Sequence, residues 1–392
     1  MAVGLGGGVP RDAIIVGAGP SGGIAARQLA AAGFDTLILE KKKVVGEPVQ
    51  CAEGVSHFGL ESNGLKPEDR WVAQRVTGAR CFMPNGTSIA ITDLPGYAID
   101  RAAFDQWLVD GAVDHGAELR TSTKVERTEP HGGGWRVHAD GKVFESRILI
   151  AADGPTSRIA NGLGLLRRQE AIRAYEYRFR AGDVPNEDPD RFLLFVARRY
   201  DGGYAWIFPR GDAVNVGAGG HIDAHAATLA FCRERGIDPS RRLKVIAGTI
   251  PYRYEFTTYA LPGLAVVGDA AGVANPMNGA GIHPGLFSGR IAGEFAVQGL
   301  EREDAAAMLG YDRVIRASPF LDPLLFWTIE RIRRWSDGLL NTLGSALDGR
   351  TWRAVDLRLA ASFLARRPWM VLRAREFTRM IRALELCEYY GW

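Results

Sequence analysis

Runs of apolar residues that stop at glycines or acidic residues predict a parallel sheet near the N-terminus. The first run, Asp12–Val16, leads into an alanine-rich segment from about Ser21 to Ala32, which predicts a helix. A second run, 36–39, stops at Glu40. The order strand, helix, strand is typical of a βαβ unit, whose two strands are parallel.

Alternating and helical patterns continue through the remainder of the chain. The turn-forming Pro84-Asn85-Gly86 predicts a hairpin, and Phe104, Leu108 and Val113 give the helix at 101–116 an apolar side. From about residue 303 the pattern is almost entirely helical. The other predicted helices are 224–235 and 282–298; the other predicted strands are 76–83, 88–92, 118–125, 135–139, 142–145, 147–151, 174–180, 192–197, 203–209, 213–219 and 264–267.

Composition fits an ordinary globular protein. Of 392 residues, 46% are hydrophobic and 24% charged, and the net charge of +3 does not favour nucleic acid as a partner. No apolar stretch is long enough for a membrane-spanning helix. The glycine-rich residues 1–10 predict a flexible leader rather than a signal peptide, which favours a cytoplasmic location. The four cysteines lack paired spacing, which argues against a disulfide framework or a structural metal; they are Cys51, Cys81, Cys232 and Cys387.

The loop after the first strand has the glycine spacing of a dinucleotide site. Gly17 permits a tight turn, Gly19 lets the backbone approach a pyrophosphate, and Gly22 lets the helix pack closely on the strand. The helix N-terminus favours phosphate, and Glu40, 18 residues past Gly22, suits ribose hydroxyls. The alternative is a glycine turn in an unrelated α/β unit.

Two later segments bear on which dinucleotide is bound. Ala152–Arg158 resembles the DG motif of the aromatic-hydroxylase-like flavoproteins, and Val267–Gly272 with Pro276 resembles their GD motif. The resemblance implies FAD, with Asp153 and Asp269 at the cofactor and the helix after Gly279 directed at the flavin. The alternative for Asp269 is a helix-capping role.

Two more segments resemble the geranylgeranyl reductase family, above all its archaeal digeranylgeranylglycerophospholipid reductases. Gly46–Val55 is similar to the family's cysteine-bearing loop, and Tyr204–Pro209 matches its YxWxFP segment. The resemblance covers about residues 12–300. It implies FAD contacts at the further positions Ser21, Glu40, Cys51, Ala52, Gly54, Arg101, Val125, Gly281 and Ile282.

The resemblance also implies a fold and a domain organisation. The expected class is α/β (α+β): a Rossmann-like FAD-binding domain with an inserted antiparallel-sheet substrate domain and a helical C-terminus, as in p-hydroxybenzoate hydroxylase. The FAD-binding domain is expected from the discontinuous segments 10–75, 98–165 and 260–300. The substrate-binding sheet is expected from 76–97 and 166–259, and the helical region from 301–392.

Tyr204, Trp206 and Phe208 would line the cavity for the isoprenoid chain. Because side chains alternate along a strand, these three aromatic residues share one face. The alternative is an ordinary aromatic core face. Cys51 is a candidate catalytic proton donor near the flavin, and the alternative for it is a small buried hydrophobic residue.

The implied reaction is reduction of carbon–carbon double bonds in geranylgeranyl chains of lipids or prenyl diphosphates, with hydride from flavin N5. It needs an external electron donor, and NADPH, ferredoxin and other reductants stay open. A flavin-dependent monooxygenase or halogenase of the same fold is one alternative, and a non-catalytic prenyl-binding protein is another.

The C-terminal segment 318–392 is rich in arginine and tryptophan and carries a net charge of +4. Two arrangements suit this segment, because it has apolar residues beside three arginines. The apolar residues are Phe320, Leu324–Trp327 and Trp335, and the arginines are Arg331, Arg333 and Arg334. The segment could lie on an anionic membrane surface, or it could pack on the flavin domain with an arginine-rich outer face.

Overall fold

The computed structural model describes residues 9–354, 365 and 368–389. The expected leader lies almost wholly outside the described residues, as do Arg358, Arg366 and Arg367 of the basic C-terminal segment. The described part is a mixed α/β fold with two large sheets, as the sequence predicts, and one small sheet that it does not predict.

The first sheet has the order β17-β18-β11-β1-β2-β8, and its central strands are parallel. Parallel strands point their carboxyl ends to one edge, so the loops after β1, β2, β11 and β18 meet there. The strands β9 and β10 form a hairpin that continues from β11. The strands are β1 (Arg11–Val16), β2 (Thr36–Leu39), β8 (Glu118–Arg120), β9 (Val125–His131), β10 (Gly134–Ala139), β11 (Lys142–Ala151), β17 (Ala260–Leu261) and β18 (Leu264–Val266).

The second sheet has the order β16-β12-β15-β14-β13-β5-β6-β19 and is mainly antiparallel. One face packs under helix α5 (Ala224–Glu234) through buried Tyr177, Phe179 and Phe231, and the opposite face borders a large cavity. The strands are β5 (Ala79–Phe82), β6 (Ser88–Thr92), β12 (Leu166–Arg180), β13 (Phe192–Phe195), β14 (Tyr204–Arg210), β15 (Ala213–Gly220), β16 (Lys244–Phe256) and β19 (Arg350–Thr351).

A small antiparallel sheet lies between the two large ones. It has the order β3-β7-β4, with β3 (Gly54–Ser56), β4 (Val72–Val76) and β7 (Gly96–Ile99). The sequence patterns missed β3 and β7 because each spans only three or four residues, too few to establish a period.

Helices cover the first sheet and form most of the C-terminal region. Helix α1 packs between α6 and α3, with its first turn at the carboxyl end of β1. The remaining helices are α1 (Pro20–Ala31), α2 (His57–Glu61), α3 (Arg101–Val113), α4 (Arg158–Gly162), α6 (Ile282–Glu301), α7 (Leu309–Arg316), α8 (Pro323–Ile332), α9 (Asp337–Leu347) and α10 (Ala374–Tyr389).

Several expected boundaries were wrong. The segment 118–125 is not one strand, since β8 ends at Arg120 and β9 begins at Val125. The segments 142–145 and 147–151 form the single strand β11, because Ser146 is buried and pairs with both neighbouring strands. Among the described residues the C-terminal region is mainly helical, as expected, although the two-residue strand β19 pairs with β6.

The apolar residues of α8 and its neighbours pack inward. Phe320, Leu325 and Trp335 are buried, and Arg333 donates to Asp201 at 2.9 Å and to Glu330 at 3.0 Å. This part of the C-terminal segment therefore takes the packed arrangement. None of the helices among the described residues has the length and apolar character to cross a bilayer.

Candidate functional site

One cavity of about 660 Å³ runs from the carboxyl edge of the first sheet to the inner face of the second. Its volume falls within the range of about 300–1,000 Å³ typical of small-molecule sites. It brings together most of the residues singled out from sequence: Gly17, Gly19, Ser21, Glu40, Cys51, Ala52, Gly54, Arg101, Val125, Asp153, Tyr204, Trp206, Phe208, Asp269, Gly281 and Ile282. Gly22 is the one predicted site residue outside the lining.

The glycines of the loop after β1 and of the first turn of α1 have different surroundings. A Cβ at Gly17 would overlap the carbonyl oxygen of Ala152, and one at Gly22 would overlap the carbonyl oxygen of Gly17. Gly22 therefore serves close packing of helix on strand. A Cβ at Gly19 would meet no protein atom within 4 Å, because Gly19 borders the open cavity.

Two of the helices that begin at the cavity, α1 and α6, have N-terminal backbone groups without a side-chain cap. Gly19 is the N-cap of α1 and Gly281 that of α6, and neither has a side-chain capping hydrogen bond. Uncapped N–H groups and the positive end of each helix dipole make these positions suited to phosphate or another anion.

Three acidic residues follow the strands of the first sheet. Glu40 accepts hydrogen bonds from the backbone N–H of Ala18 and of Lys42, both at 2.8 Å, which fixes its carboxylate beside the glycine loop. Asp153 accepts from Ser157 Oγ at 2.6 Å and Arg158 N at 2.7 Å, so its carboxylate orders the start of α4.

Asp269 borders the cavity next to the first turn of α6. Its side chain has no hydrogen-bond partner among the described residues, so it does not cap a helix there. Enclosure raises the pKa of this carboxyl to about 6, against the opposing effect of the Arg101 charge. A carboxylate directed into an enclosed polar space is available to hydroxyl groups of a ligand.

Arg101 connects Cys51 with a buried acid. The Arg101 guanidinium donates to both oxygens of Asp105, at 3.1 and 3.0 Å. Cys51 Sγ accepts from the backbone N–H of Glu53 at 3.2 Å. Burial raises the pKa of the Cys51 thiol, although the Arg101 charge acts in the opposite direction.

The three aromatic residues of β14 form one wall of the cavity. The ring centroids of Tyr204 and Trp206 lie 5.8 Å apart, and those of Trp206 and Phe208 lie 6.2 Å apart. The alternation of the strand thus places them on one face, and that face borders the cavity rather than the core under α5.

Sequence reasoning missed two buried glutamates near this wall. Glu53, fully buried, pairs with Arg178 and, at 3.0 Å, with Arg210 Nε. Glu176, 2% exposed, accepts from Trp206 Nε1 at 2.9 Å. The alternation of β12, with Tyr175, Tyr177 and Phe179 on one face, indicates that Glu176 lies on the opposite face. It does not indicate what lies there.

The residues present fit FAD. One side of the cavity has partners for phosphate and hydroxyl groups. Phosphate suits the open space above Gly19 and the two uncapped helix N-termini, and hydroxyl groups suit the carboxylates of Glu40 and Asp269. The aromatic wall leaves an apolar space on the other side.

One comparison with known protein families names this cofactor, and a second names a Rossmann-like dinucleotide-binding domain. The sequence profile of the FAD dependent oxidoreductase family matches residues 49–297, more than half of the chain. That of the NAD(P)-binding Rossmann-like domain matches residues 15–54.

Archaeal relatives are similar over most of their length. The chain is 37% identical to digeranylgeranylglycerophospholipid reductase 2 of Methanopyrus kandleri over 76% of this chain and 79% of that protein. It is 30% identical to the digeranylgeranylglycerophospholipid reductase of Methanocella arvoryzae over 91% of this chain and 96% of that protein.

Solved structures give the same fold. A geranylgeranyl bacteriochlorophyll reductase-like protein from Thermoplasma acidophilum superposes with a TM-score of 0.81 at 25% identity, covering 94% of this chain and 99% of that one. A halogenase in complex with FAD superposes with a TM-score of 0.67 at 14% identity, covering 86% of this chain and 79% of the other. The second likeness shows a shared fold alone.

Proposed function

The chain belongs to the digeranylgeranylglycerophospholipid reductase family of FAD-dependent oxidoreductases, and from this premise we propose that it hydrogenates double bonds of geranylgeranyl chains. The observation that carries the proposal is the aromatic wall of Tyr204, Trp206 and Phe208, which borders the same cavity as the dinucleotide loop. The substrate class is a geranylgeranyl lipid or prenyl diphosphate.

Residues of the first sheet would hold the cofactor. The N-terminus of α1 with Gly19 binds the pyrophosphate, Glu40 binds ribose hydroxyls, and Asp269 binds hydroxyls of the ribityl chain. The N-terminus of α6, which borders the same cavity, would stabilise negative charge on the flavin ring. When bound and reduced, FAD supplies the hydride for the double bond.

Residues of the second sheet would hold the substrate. The aromatic wall binds a long hydrocarbon without polar contacts, so it accepts successive isoprene units in one orientation. Aromatic faces also tolerate partial positive charge, which develops when an isolated alkene is attacked. Enclosure excludes water and keeps the alkene aligned, which accounts for several kcal/mol of catalysis in favourable cases, up to about 7–11.

The enzyme needs an external reductant, and NADPH and ferredoxin are the candidates to compare.

We also propose that the protein works in the cytoplasm, at the inner surface of the membrane where its lipids reside. Val371 and Leu372, 56% and 89% exposed, support this location because they lie beside Arg373 and Arg375 in the C-terminal region. Co-sedimentation with anionic vesicles, lost in the variant Leu372→Ser, tests the membrane contact.

The reaction itself is tested by mass spectrometry under anaerobic conditions. Dithionite-reduced protein is incubated with geranylgeranyl diphosphate and, separately, with an unsaturated archaeal ether lipid. The expected result is a mass gain of two hydrogen atoms for each reduced double bond in at least one of them. No gain in either, from protein that carries FAD, contradicts the proposal; an oxygen-dependent product instead would favour a monooxygenase.

A further inference from the structure

A buried carboxyl group lies against the aromatic wall of the cavity. Glu176 on β12 lines the cavity, and its Oε2 atom accepts the indole N–H of Trp206 at 2.9 Å. Its Oε1 atom is buried and has no hydrogen-bond partner among the described residues. An unpaired buried oxygen is costly unless the group carries a proton or contacts a ligand.

Neighbouring residues of the second sheet hold this carboxyl beside Trp206. Tyr175 and Tyr177 direct their rings to the opposite face, where they contact each other and α5 residue His225. On the cavity face, Gly217 of β15 lies between Glu176 and Trp206. A Cβ at Gly217 would lie 2.6 Å from Glu176 Cβ and would overlap the Trp206 ring, so only glycine leaves room for both.

The charged groups that face Glu176 are paired with other residues. Arg178 and Arg210 both pair with Glu53, and Arg210 also donates to Asp100 at 2.7 Å. Glu176 has no ion pair of its own among the described residues. Burial raises the pKa of Glu176 to about 8, so the group carries a proton at neutral pH.

We propose that Glu176 is the proton donor for the reduced double bond, an assignment that rests on the proposed function. The π bond of the alkene breaks; one carbon takes up a hydride, with both electrons, from the reduced cofactor, and the other takes up the proton of Glu176. The alkane, the oxidised cofactor and the Glu176 carboxylate remain. Solvent then returns a proton to the carboxylate.

The assignment explains why an acid is kept among aromatic residues. An isolated alkene has no carbonyl group to polarise, so protonation must come from an acid held at the hydrocarbon itself. Glu176 lies in the wall expected to contact that hydrocarbon, whereas the Cys51 thiol accepts a backbone N–H on the side of the cavity near Arg101. A neutral carboxylic acid also costs less to bury beside a hydrocarbon than a charged one.

The variant Glu176→Gln isolates proton transfer from structure, because its amide oxygen still accepts the Trp206 N–H but the side chain has no acidic proton. Glu376→Gln is a control outside the cavity, although Glu376 also pairs with Arg331 and Arg373, at 3.5 and 3.7 Å. Glu376 is also buried and accepts an indole N–H, from Trp335 at 3.0 Å, but it does not line the cavity. Glu176→Asp restores an acid at the same strand position.

The measurement is the single-turnover reoxidation of reduced, FAD-loaded protein by geranylgeranyl substrate, with product mass in parallel. We expect Glu176→Gln to slow reoxidation about 100-fold or more, the usual loss when a general acid is removed. Glu376→Gln should react at the wild-type rate, Glu176→Asp should recover part of the loss, and the wild-type rate should fall as pH rises through about 8.

A second readout needs neither activity nor cofactor. The infrared spectrum of the apoprotein should contain a protonated carboxyl band that disappears as pH rises through about 8 and is absent from Glu176→Gln. The assignment is overturned if Glu176→Gln reacts at the wild-type rate. It is also overturned if Glu176→Asp recovers none of the lost rate and the carboxyl band persists in Glu176→Gln. A wild-type protein that reduces no prenyl chain overturns the proposed function instead.

Discussion

At the scale of single residues, Gly22 serves helix packing whereas Gly19 leaves space for a ligand. Gly22 is in contact with the Gly17 carbonyl and lies outside the cavity lining, whereas Gly19 faces open cavity. The two positions have the same residue type in the same motif. Substitution by alanine should therefore have two different consequences.

We expect Gly22→Ala to destabilise the fold and Gly19→Ala to weaken FAD binding only. The new methyl at position 22 overlaps backbone, which should cost about 1–3 kcal/mol or more of unfolding free energy. At position 19 the methyl extends into the space expected for pyrophosphate, so apoprotein stability should stay near wild type. Denaturant unfolding of the apoproteins and titration with FAD check both; equal stability losses in the two variants contradict the distinction.

Glu176 gives a stability prediction with a defined sign. Its pKa rises from an ordinary 4.5 to about 8 on folding, so the folded state binds its proton more tightly than the unfolded state. The resulting stability is complete below about pH 4.5 and declines as pH rises toward about 8, by up to about 1.4 kcal/mol per pH unit. Glu176→Gln, which has no proton to lose, should lack this decline.

The check is the difference in unfolding free energy between wild type and Glu176→Gln, measured for apoprotein across that pH range. The difference should shift in favour of the glutamine variant as pH rises, by a few kcal/mol in order of magnitude. A difference that stays constant with pH contradicts the raised pKa. Glu376→Gln again serves as the control.

At the scale of elements, two glycines let α6 lie directly on α1. A Cβ at Gly289 would overlap the backbone carbonyl oxygen of Ser21, and one at Gly293 would overlap the Gln28 amide oxygen. This close approach brings the N-termini of both helices to the same cavity. The cofactor site therefore depends on a helix contact made by two glycines that do not themselves line the cavity.

We expect Gly289→Ala to force α6 away from α1, because the overlap is with backbone that cannot rotate aside. The cost should be about 1–3 kcal/mol of unfolding free energy together with weaker FAD retention. Gly162→Ala in α4 is the matched control, since a Cβ there meets nothing within 4 Å and alanine favours helix by up to about 1 kcal/mol. Thermal unfolding with and without added FAD measures both effects.

The sequence predicted the long helices better than the strands. The 13-residue strand β16 was not among the predicted strands, and only residues 174–180 of β12 were predicted. The helices at 20–31, 101–113 and 282–301 carry several turns of periodic apolar residues, and each was predicted to within a few residues. The strands β3 and β7 were missed because they are short and are stabilised by pairing with each other. The split at 118–125 depends on a bend, at which Ser122 has a φ of 52°, that periodicity does not encode.

At the scale of the whole molecule, Glu53 connects the loop before β3 to the second sheet. From the loop before β3 it pairs with Arg178 of β12 and Arg210 of β14, and it accepts the backbone N–H of Arg101 at 3.1 Å. These partners come from three separate parts of the chain. The geometry of the two halves of the cavity is thus linked through one buried carboxylate.

We expect Glu53→Gln to cost about 3–5 kcal/mol of unfolding free energy, since it removes the counter-charge of Arg178 and leaves Arg210 with Asp100 alone. The control is Glu234→Gln, whose partner Arg199 is about half exposed, as is Glu234 itself, and which should cost less than about 1 kcal/mol. Urea unfolding of the two variants compares them. Similar losses of unfolding free energy in the two variants would indicate that the buried ion pairs of Glu53 add little to stability.

The sequence by itself determined the cofactor class and the family, because glycine spacing, strand ends and short motifs are local chemistry that the chain order preserves. It also determined that Tyr204, Trp206 and Phe208 share a face, because side-chain alternation is a property of the strand alone. Tertiary structure decided which face meets the cavity. It also decided that Glu176 meets Trp206 across Gly217, and that Glu53 meets Arg178 and Arg210. These contacts join residues far apart in the chain, and the burial that raises the pKa of Glu176 exists only once the sheets have assembled.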